Sequence, residues 1–139
     1  MADDDDDDRL LARDALGESR IEGELRFVGH GEELLDYLWR RGKYDRAGAA
    51  PRPAIILLDL NMPLKDGREV LREIKGDPDL RRIPVVVLTT SKADTDIGAI
   101  YELGANSFIS KPFQFDAFVN VMKVIGQYWF NTVELPLAK

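Results

Sequence analysis

Three short strand-like runs in this chain each end at a side chain that can take part in chemistry. The runs and the residues that follow them are 55–58 with Asp59, 85–88 with Thr89, and 107–110 with Lys111 and Pro112. Continuous Val, Ile and Leu runs are typical of buried parallel strands, and ligands gather at the carboxyl ends of such strands in open α/β sheets. The pattern therefore predicts one sheet edge that carries a carboxylate, a hydroxyl and an ammonium group.

Size and composition indicate one ordinary soluble domain. The chain has 139 residues, of which 45% are hydrophobic and 32% charged, enough for a single good core. It contains no cysteine, so neither a disulfide framework nor a thiolate metal site is available. No apolar run approaches the roughly 18 residues of a membrane helix, and the acidic amino terminus does not resemble a signal peptide. We therefore expect a cytoplasmic protein with no membrane partner.

The acidity of the chain is local. The formal net charge is −6, and the aspartate run at residues 3–8 supplies six of the 25 acidic residues. The remaining 19 acids match the 19 lysines and arginines, so the rest of the chain is neutral. No basic surface for nucleic acid is indicated, and we expect no nucleic-acid partner.

Segments with helical spacing alternate with the strand-like runs. The apolar stripes of the predicted helices are Leu10, Leu11, Ala15 and Leu16; Leu34, Leu35 and Leu38; Val70, Leu71 and Ile74; Ile97, Ile100 and Tyr101; and Phe118, Val121, Met122 and Ile125. Residues 25–28 form a further strand candidate, and Asp66 and Asp94 are candidate helix caps. Strands separated by helices of this length predict βαβ crossovers and a parallel sheet.

The strand-end residues fit a magnesium-dependent phosphoryl site. Magnesium prefers a few carboxylates together with water and phosphate oxygens, a demand that Asp3, Asp4 and Asp59 would meet. Asn61 lies two residues beyond Asp59, where its backbone carbonyl could face such a metal. The Lys111 ammonium could neutralise a phosphoryl oxygen and the Thr89 hydroxyl could donate to another.

The aspartate run has other readings. It could be a solvated acidic tail or part of a cleavable tag, although Arg9 stands where such tags carry lysine. A calcium loop that begins at Asp3 fails, because its sixth position is Asp8 rather than glycine and its twelfth is Asp14 rather than glutamate. Asp7 and Asp8 are also well placed to stabilise the amino end of a first helix through its dipole.

These residues together resemble the receiver domain of two-component response regulators. The matching pieces are Asp3-Asp4, Asp59 within 58–63, Asp66-Gly67, Thr89, Gly104-Ala105, Phe108 and Lys111-Pro112-Phe113. The loop at 42–53, Gly76-Asp77-Pro78 and the ending Tyr128-Trp129-Phe130 are similar to stand-alone regulators paired with phytochrome-type kinases. The resemblance implies a flavodoxin-like (CheY-like) doubly wound α/β fold, with a parallel five-stranded sheet of order 2-1-3-4-5 and helices on both faces.

The resemblance also implies roles for individual residues. Asp59 would accept a phosphoryl group from a histidine of a sensor histidine kinase. The ligands of Mg²⁺ would be Asp3, Asp4, Asp59 and the backbone carbonyl of Asn61. Lys111 and Thr89 would contact the phosphoryl group, Thr89 and Phe108 would form the coupled switch pair, and the Lys111–Pro112 peptide bond would be cis.

The first strand departs from the family pattern. In receiver domains an apolar strand runs directly into the acid pair and lies in the middle of the sheet, whereas only Met1 and Ala2 precede Asp3 here. Losing a central strand removes several large buried side chains, each of which contributes roughly 1.5–3 kcal/mol. We therefore expect the first strand to be missing or truncated in this sequence, and the natural protein to begin several residues upstream.

Two other functions compete with phosphoryl acceptance by Asp59 as interpretations of the sequence. A haloacid-dehalogenase-type phosphatase needs Asp-x-Asp, and Asn61 in the second position cannot transfer a proton. A degenerate receiver would bind partners without phosphorylation, but the presence of Asp59, Thr89 and Lys111 argues against this function.

We expect a receiver at residues 1–130, a short extension at 131–139 without an output domain, and no classical enzyme activity. The aromatic ending at 128–130 suggests a homodimer through the fourth helix, fifth strand, fifth helix and tail, or a tail folded on its own domain.

Overall fold

The strand-like runs form a parallel sheet flanked by helices. The computed structural model describes residues 1–19, 23–89 and 94–136. The helices are α1 Asp6–Ser19, α2 Gly31–Trp39, α3 Gly67–Gly76, α4 Asp94–Glu102 and α5 Phe115–Gly126. The strands are β1 Ile56–Leu58, β2 Val85–Thr89 and β3 Ser107–Ser110, paired in parallel in the order β1-β2-β3. Short 3₁₀ turns at Gly42–Tyr44 and Leu80–Arg82 and a π-helical turn at Gln127–Thr132 complete the elements.

The two predicted strands ahead of β1 are each reduced to one bridging residue, Ala2 and Val28. Ala2 forms parallel bridges with Val28 on one side and with Leu58 on the other. The Ala2 amide donates to the Leu57 carbonyl at 2.8 Å, and the Asp59 amide donates to the Ala2 carbonyl at 3.0 Å. The described residues therefore form a three-stranded sheet that Ala2 and Val28 continue beyond β1 through bridges, and the full five-strand order 2-1-3-4-5 stays a prediction.

The expectation for the first strand is partly corrected by these bonds. Residues 1–3 form no strand of their own in the described structure, yet Ala2 occupies the position expected of the first strand, beside β1. Residues 1–3 enter between Val28 and β1, because the Asp3 amide donates to the Val28 carbonyl at 3.1 Å and the Val28 amide donates to the Met1 carbonyl at 3.0 Å. The sheet is paired at Ala2 on both sides, and the acid pair is held at its edge.

Two apolar layers cover the two faces of the sheet. One face packs against α2, α3 and Ile100 of α4, and its buried side chains include Leu34, Leu35, Val70, Leu71, Ile74, Ile56, Leu58, Val85 and Val87. The other face packs against α1 and α5 through Ala12, Ala15, Leu57, Val86, Leu88, Phe118, Met122 and Ile125. Helices on both faces of a parallel sheet confirm the predicted doubly wound α/β class. None of the described helices has the length and apolar character needed to cross a membrane.

The buried stripe of α1 differs from the predicted one. Ala12 and Ala15 are fully buried, whereas Leu10 is 55% exposed. The small alanine side chains allow α1 to lie close to α5, so the helix faces the core with its short residues. The prediction for Leu10 is wrong because helical spacing alone does not tell which of two adjacent apolar positions faces the core.

Helix α3 begins and ends where its capping residues predict. The Asp66 carboxylate accepts a 2.7 Å hydrogen bond from the Arg68 amide, and α3 starts at the next residue, Gly67. The helix ends at Gly76, and Asp77 and Pro78 follow it. Its start lies directly behind Asp59, because the Gly67 amide donates to the Leu60 carbonyl at 3.0 Å. The other predicted cap, Asp94, has a side chain outside the described part of the chain.

Candidate functional site

Asp59 lies at the carboxyl end of β1 with its carboxylate held from two sides. The side chain is buried, and Oδ1 accepts hydrogen bonds from the Thr89 hydroxyl at 2.9 Å and from the Asn61 amide at 3.1 Å. Oδ2 accepts from the Lys111 ammonium at 3.1 Å. The ends of β1, β2 and β3 thus converge on one carboxylate, as the carboxyl ends of parallel strands do.

Lys111 binds three carboxylates at once. Its Nζ donates to Asp3 Oδ2 at 2.6 Å, to Asp8 Oδ2 at 2.8 Å and to Asp59 Oδ2 at 3.1 Å. Burial alone would lower the pKa of Lys111, but the hydrogen bonds to Asp3 and Asp8 and the charges of Asp59 and Asp3 raise it above its usual range. The ammonium therefore stays charged inside the site.

The aspartate run has a different role at almost every position. Asp3 is buried at the sheet edge and Asp4 is exposed beside it. Asp5 precedes α1, and its Oδ1 accepts from the amides of Asp7 at 2.8 Å and Asp8 at 3.3 Å, so it caps the helix. Asp8 turns back to Lys111. The reading of this run as a solvated tail is wrong for Asp3 and Asp8, whose carboxylates bind Lys111.

The carboxylates of Asp3, Asp4 and Asp59 form a group that fits a divalent cation. One carboxylate oxygen of each residue lies within 4.8 Å of the other two. Among the residues that the structure describes, this is the group of acidic side chains close enough to share a metal ion. Oxygen ligands of this number suit Mg²⁺, which completes its octahedron with water and phosphate oxygens. With Asp8 included, the site holds four carboxylates and the one ammonium group of Lys111. The excess of negative over positive groups also favours the binding of a cation.

Two predicted features at this edge have different outcomes. The Asn61 backbone amide faces Asp59, and the Asn61 side-chain nitrogen lies 3.5 Å from the Thr89 hydroxyl. The metal role of its carbonyl stays a prediction. The predicted cis bond at Lys111–Pro112 is wrong, since the described residues contain no cis peptide bond. The trans isomer is favoured by about 0.5–1 kcal/mol even before proline, and it already brings the Lys111 ammonium to all three carboxylates.

The predicted switch residues lie on neighbouring strands. Phe108 pairs in register with Val87, and Thr89 lies two residues further along β2, so Thr89 and Phe108 point to the same face of the sheet. Phe108 is half-buried and packs at the edge of the core. The Phe108 backbone amide donates a hydrogen bond to the Tyr101 hydroxyl of α4 at 3.1 Å. A movement of Phe108 is thereby linked to α4.

Gly67 permits the close approach of α3 to the site. A Cβ atom at this position would lie 2.6 Å from the Asp59 carbonyl oxygen and 2.6 Å from Leu60 Cα, distances that real side chains do not adopt. The loop between β1 and α3 also holds Leu64 at φ 69°, an unusual conformation for a residue with a side chain. The site therefore depends on a glycine at the start of α3.

Sequence reasoning missed two roles in the aspartate run, the capping of α1 by Asp5 and the contact of Asp8 with Lys111 in the site. Both residues were assigned only to the charge of the run or to the helix dipole. Asp5 was recognisable in principle, since an aspartate just before a helix is a typical cap. The contact of Asp8 with Lys111 has no local signal, because it joins residues 103 positions apart.

The sequence matches the response regulator receiver domain family over residues 1–123. It is 44% identical over 131 residues to response regulator Rcp1 of Synechocystis sp., covering 94% of this chain and 87% of Rcp1. The crystal structure of Mn²⁺-bound Rcp1 superposes with a TM-score of 0.88 at 43% identity, covering 98% of this chain and 96% of that one.

Two further solved structures are similar. The phosphorylated cyanobacterial phytochrome response regulator RcpA has a TM-score of 0.89 and 43% identity, with 98% of this chain and 95% of that chain covered. Response regulator RPA3017, described in red light signaling of R. palustris, has a TM-score of 0.92 and 38% identity, with 99% and 96% covered. These neighbours confirm the resemblance to phytochrome-associated regulators.

The comparisons agree with the site. Receiver domains are signalling proteins that interact with sensor histidine kinases and bind Mg²⁺ in an acidic pocket, and the Asp3, Asp4 and Asp59 group offers carboxylates of the kind that such a pocket uses. The predicted cofactor is thus confirmed. The family match spans most of the chain, and the fold and the convergent strand ends agree with it. This chain belongs to the response regulator receiver domain family.

Proposed function

We propose that Asp59 accepts a phosphoryl group from a phosphorylated histidine of a sensor histidine kinase. The observation that carries the proposal is the buried Asp59 carboxylate, which accepts hydrogen bonds from both the Thr89 hydroxyl and the Lys111 ammonium. Among the aspartates of the described chain, Asp59 combines burial with a hydroxyl and an ammonium from two other strand ends.

In the transfer, one carboxylate oxygen of Asp59 attacks phosphorus. The new O–P bond forms as the P–N bond of the phosphohistidine breaks, and the electron pair of that bond returns to the imidazole, which takes a proton from water. The acyl phosphate adds about −1.5 to −2 charges and three acceptor oxygens. Bound Mg²⁺ supplies positive charge for these oxygens.

The residues around Asp59 are suited to hold this charge. Lys111 is a charged donor next to Oδ2, and the Thr89 hydroxyl is a neutral donor next to Oδ1. Asp3 and Asp4, with the carbonyl of Asn61, would supply the remaining protein ligands of the metal. The proposal makes the chain a phosphoacceptor and not a classical enzyme, because each phosphoryl group modifies the chain itself.

Incubation with acetyl phosphate and Mg²⁺, followed by intact mass measurement, tests the proposal. The wild type should gain about 80 Da, the mass of one phosphoryl group. Asp59→Asn should abolish the gain, whereas Asp45→Asn, an exposed aspartate away from the site, should leave it unchanged. Full labelling of the Asp59→Asn variant would show that another residue is the acceptor.

We further propose that Thr89 and Phe108 transmit phosphorylation. The Thr89 hydroxyl would leave Asp59 Oδ1 for a phosphoryl oxygen, and the vacated space on the same face of the sheet would admit the Phe108 ring. The Tyr101 hydroxyl bonded to the Phe108 amide would pass this change to α4. The readout would then be a partner or a second copy at the face formed by α4, β3 and α5.

The homodimer proposal rests on exposed apolar side chains of this face and of the tail. Ile97 and Tyr101 of α4 are 39% and 48% exposed, and Tyr128 and Phe130 of the π-helical turn are 48% and 43% exposed. Trp129 instead packs on the core layer of α1 and α5, so this part of the tail folds on its own domain. We propose that Tyr128 and Phe130 extend the dimer face, in a receiver of residues 1–130 with an extension at 131–139.

Sedimentation at tens of micromolar tests the dimer. Replacing Tyr101 and Tyr128 by serine should shift the wild-type dimer towards monomer, while Leu64→Ser, another exposed apolar position on a different loop, should not. A strictly monomeric wild type, with and without a phosphate mimic, would rule the dimer out.

A further inference from the structure

Asp8 is a carboxylate of the site that lies outside the candidate metal group. Its Oδ2 accepts a 2.8 Å hydrogen bond from Lys111 Nζ, whereas the group close enough to share a metal ion consists of Asp3, Asp4 and Asp59. The Asp8 side chain is partly exposed, while Asp3 and Asp59 are buried. Lys111 is therefore shared between two carboxylates that a metal ion would use and one that it would not.

The backbone is fixed on both sides of the contact between Asp8 and Lys111. The Asp5 carboxylate accepts hydrogen bonds from the amides of Asp7 and Asp8, which holds the first turn of α1. The Lys111 amide donates to the Thr89 carbonyl at 2.9 Å and so continues the pairing of β3 with β2. Because the two side chains extend from a capped helix and a paired strand end, their contact is well defined.

A divalent cation and the Lys111 ammonium would compete for the same oxygen atoms. Both contact the carboxylates of Asp3 and Asp59, and two positive groups that share a carboxylate repel each other. An ammonium group has three donors, and on metal binding two of the three present acceptors of Lys111 would be drawn towards the metal. Asp8 supplies an acceptor outside this competition.

We propose that Asp8 is a positioning residue, which keeps the Lys111 ammonium beside Asp59 when a divalent cation occupies the carboxylates of Asp3 and Asp59. The proposal rests on the function proposed above, because the retained ammonium would then contact the phosphoryl group on Asp59. An ion pair that only stabilised the fold would change the melting temperature but not the response of Lys111 to the metal.

Nuclear magnetic resonance of the Lys111 side chain in the full-length protein tests the proposal with Mg²⁺ alone. The two Hε protons of a lysine give separate signals when the ammonium is held in one place, and one merged signal when it moves freely. In the wild type they should stay separate with and without saturating Mg²⁺. In Asp8→Asn they should be separate without the metal, since Asp3 and Asp59 still bind the ammonium, and should merge when Mg²⁺ is added. Asp7→Asn, the same charge change on the exposed first turn of α1, should behave as wild type.

The rate of labelling by acetyl phosphate at saturating Mg²⁺ measures the consequence at Asp59. Asp8→Asn should be labelled at least about tenfold more slowly than the wild type, because the ammonium is no longer held where the phosphoryl group arrives. Asp7→Asn should be labelled at the wild-type rate.

Each outcome decides the proposal. Lys111 signals that merge on Mg²⁺ addition in Asp8→Asn and stay separate in the wild type, together with slow labelling of the variant, support it. Signals that stay separate in Asp8→Asn with Mg²⁺, or that merge in the wild type or without the metal, overturn it. Wild-type labelling speed in Asp8→Asn also overturns it. A wild type that takes no label contradicts the proposed function of Asp59, whereas the Lys111 signals still decide whether Asp8 holds the ammonium.

Discussion

The Lys111 ammonium donates a 2.6 Å hydrogen bond to Asp3 Oδ2 across 108 positions of sequence, and both side chains are buried. The same ammonium reaches Asp8 and Asp59. One cation therefore ties the amino terminus of the chain to Asp59, the proposed phosphoacceptor, and the first predictions address this link.

Lys111→Met should lower the stability of the protein by about 3 kcal/mol or more, because it leaves buried carboxylates without their cation. Added Mg²⁺ should restore more stability to this variant than it adds to the wild type, since the metal supplies the missing positive charge. Chemical denaturation with and without Mg²⁺ measures both effects. Lys123→Met, which removes an exposed lysine of α5, is the control and should behave as wild type. An equal Mg²⁺ effect in all three proteins would contradict the prediction.

Asp4→Asn should weaken Mg²⁺ binding about tenfold or more, because it removes one of the three carboxylates clustered at the proposed metal site. Asp7→Asn makes the same charge change three residues later, on the exposed first turn of α1. Titration calorimetry of the two variants compares them directly. If both lose affinity equally, the run attracts the metal by its overall charge and Asp4 is not a ligand.

Thr89→Ala should still accept phosphate at Asp59 but should lose most of the effect of phosphorylation on association. A switch requires contacts that differ between its two states, and the Thr89 hydroxyl bonded to Asp59 is the contact that would change. Intact mass follows the labelling and sedimentation follows the association. The same phosphorylation-dependent association in wild type and variant would remove Thr89 from the switch.

Gly67→Ala should cost about 1–3 kcal/mol, because its Cβ would overlap the Asp59 carbonyl oxygen and Leu60 Cα, both of which are backbone atoms that cannot rotate away. Labelling of Asp59 by acetyl phosphate should also slow. Gly76→Ala, at the other end of α3, meets nothing within 4 Å and should be neutral or slightly stabilising. Similar losses in both variants would mean that helix propensity and not the contact at the site is responsible.

Glu33 should contribute stability that depends on pH. Burial alone would raise the pKa of the Glu33 carboxyl, but hydrogen bonds from the Gly29 amide, Lys43 and Tyr44 lower it from 4.5 to about 2. Because the pKa in the folded protein is below that of the unfolded chain, the stability is present above pH 4.5 and is lost as the pH falls towards 2.

Glu33→Gln should therefore destabilise the protein by about 1–2 kcal/mol at pH 7, the partial exposure of the side chain being taken into account. The difference from wild type should shrink steadily below pH 4.5. Denaturation midpoints between pH 2.5 and 7 measure it, with Glu18→Gln on the exposed side of α1 as the control. A difference that stays constant with pH would show that packing and not charge is responsible.

The parts of the fold that depend on local pattern were predictable. The β2 strand begins after Pro84 and ends at Thr89, as its Val-rich run indicates, and α3 begins after Asp66. These elements are set by residue type within a few positions, so the sequence alone contains the necessary information. The convergence of Asp59, Thr89 and Lys111 followed from the rule that parallel strands end at one edge.

The rest depends on contacts that no local pattern encodes. The burial of Ala12 in place of Leu10 depends on how closely α1 approaches α5. The bond between Asp8 and Lys111 depends on where α1 begins relative to β3. The pairing of Ala2 with Val28 and Leu58 depends on three residues filling a position that usually needs a whole strand. Each is decided by packing between distant segments.

The six consecutive aspartates act as an ordered set of positions and not as a quantity of charge. Asp3 belongs to a sheet edge, where neighbours alternate between faces, whereas Asp5 caps a helix and Asp8 lies within it, where neighbours are about 100° apart. A seventh aspartate inserted into the run would scarcely alter composition or charge, yet it would displace either the capping carboxylate or the one beside Lys111. The length of this homopolymeric stretch is therefore fixed, because Asp3 at one end and Asp8 at the other must both reach Lys111.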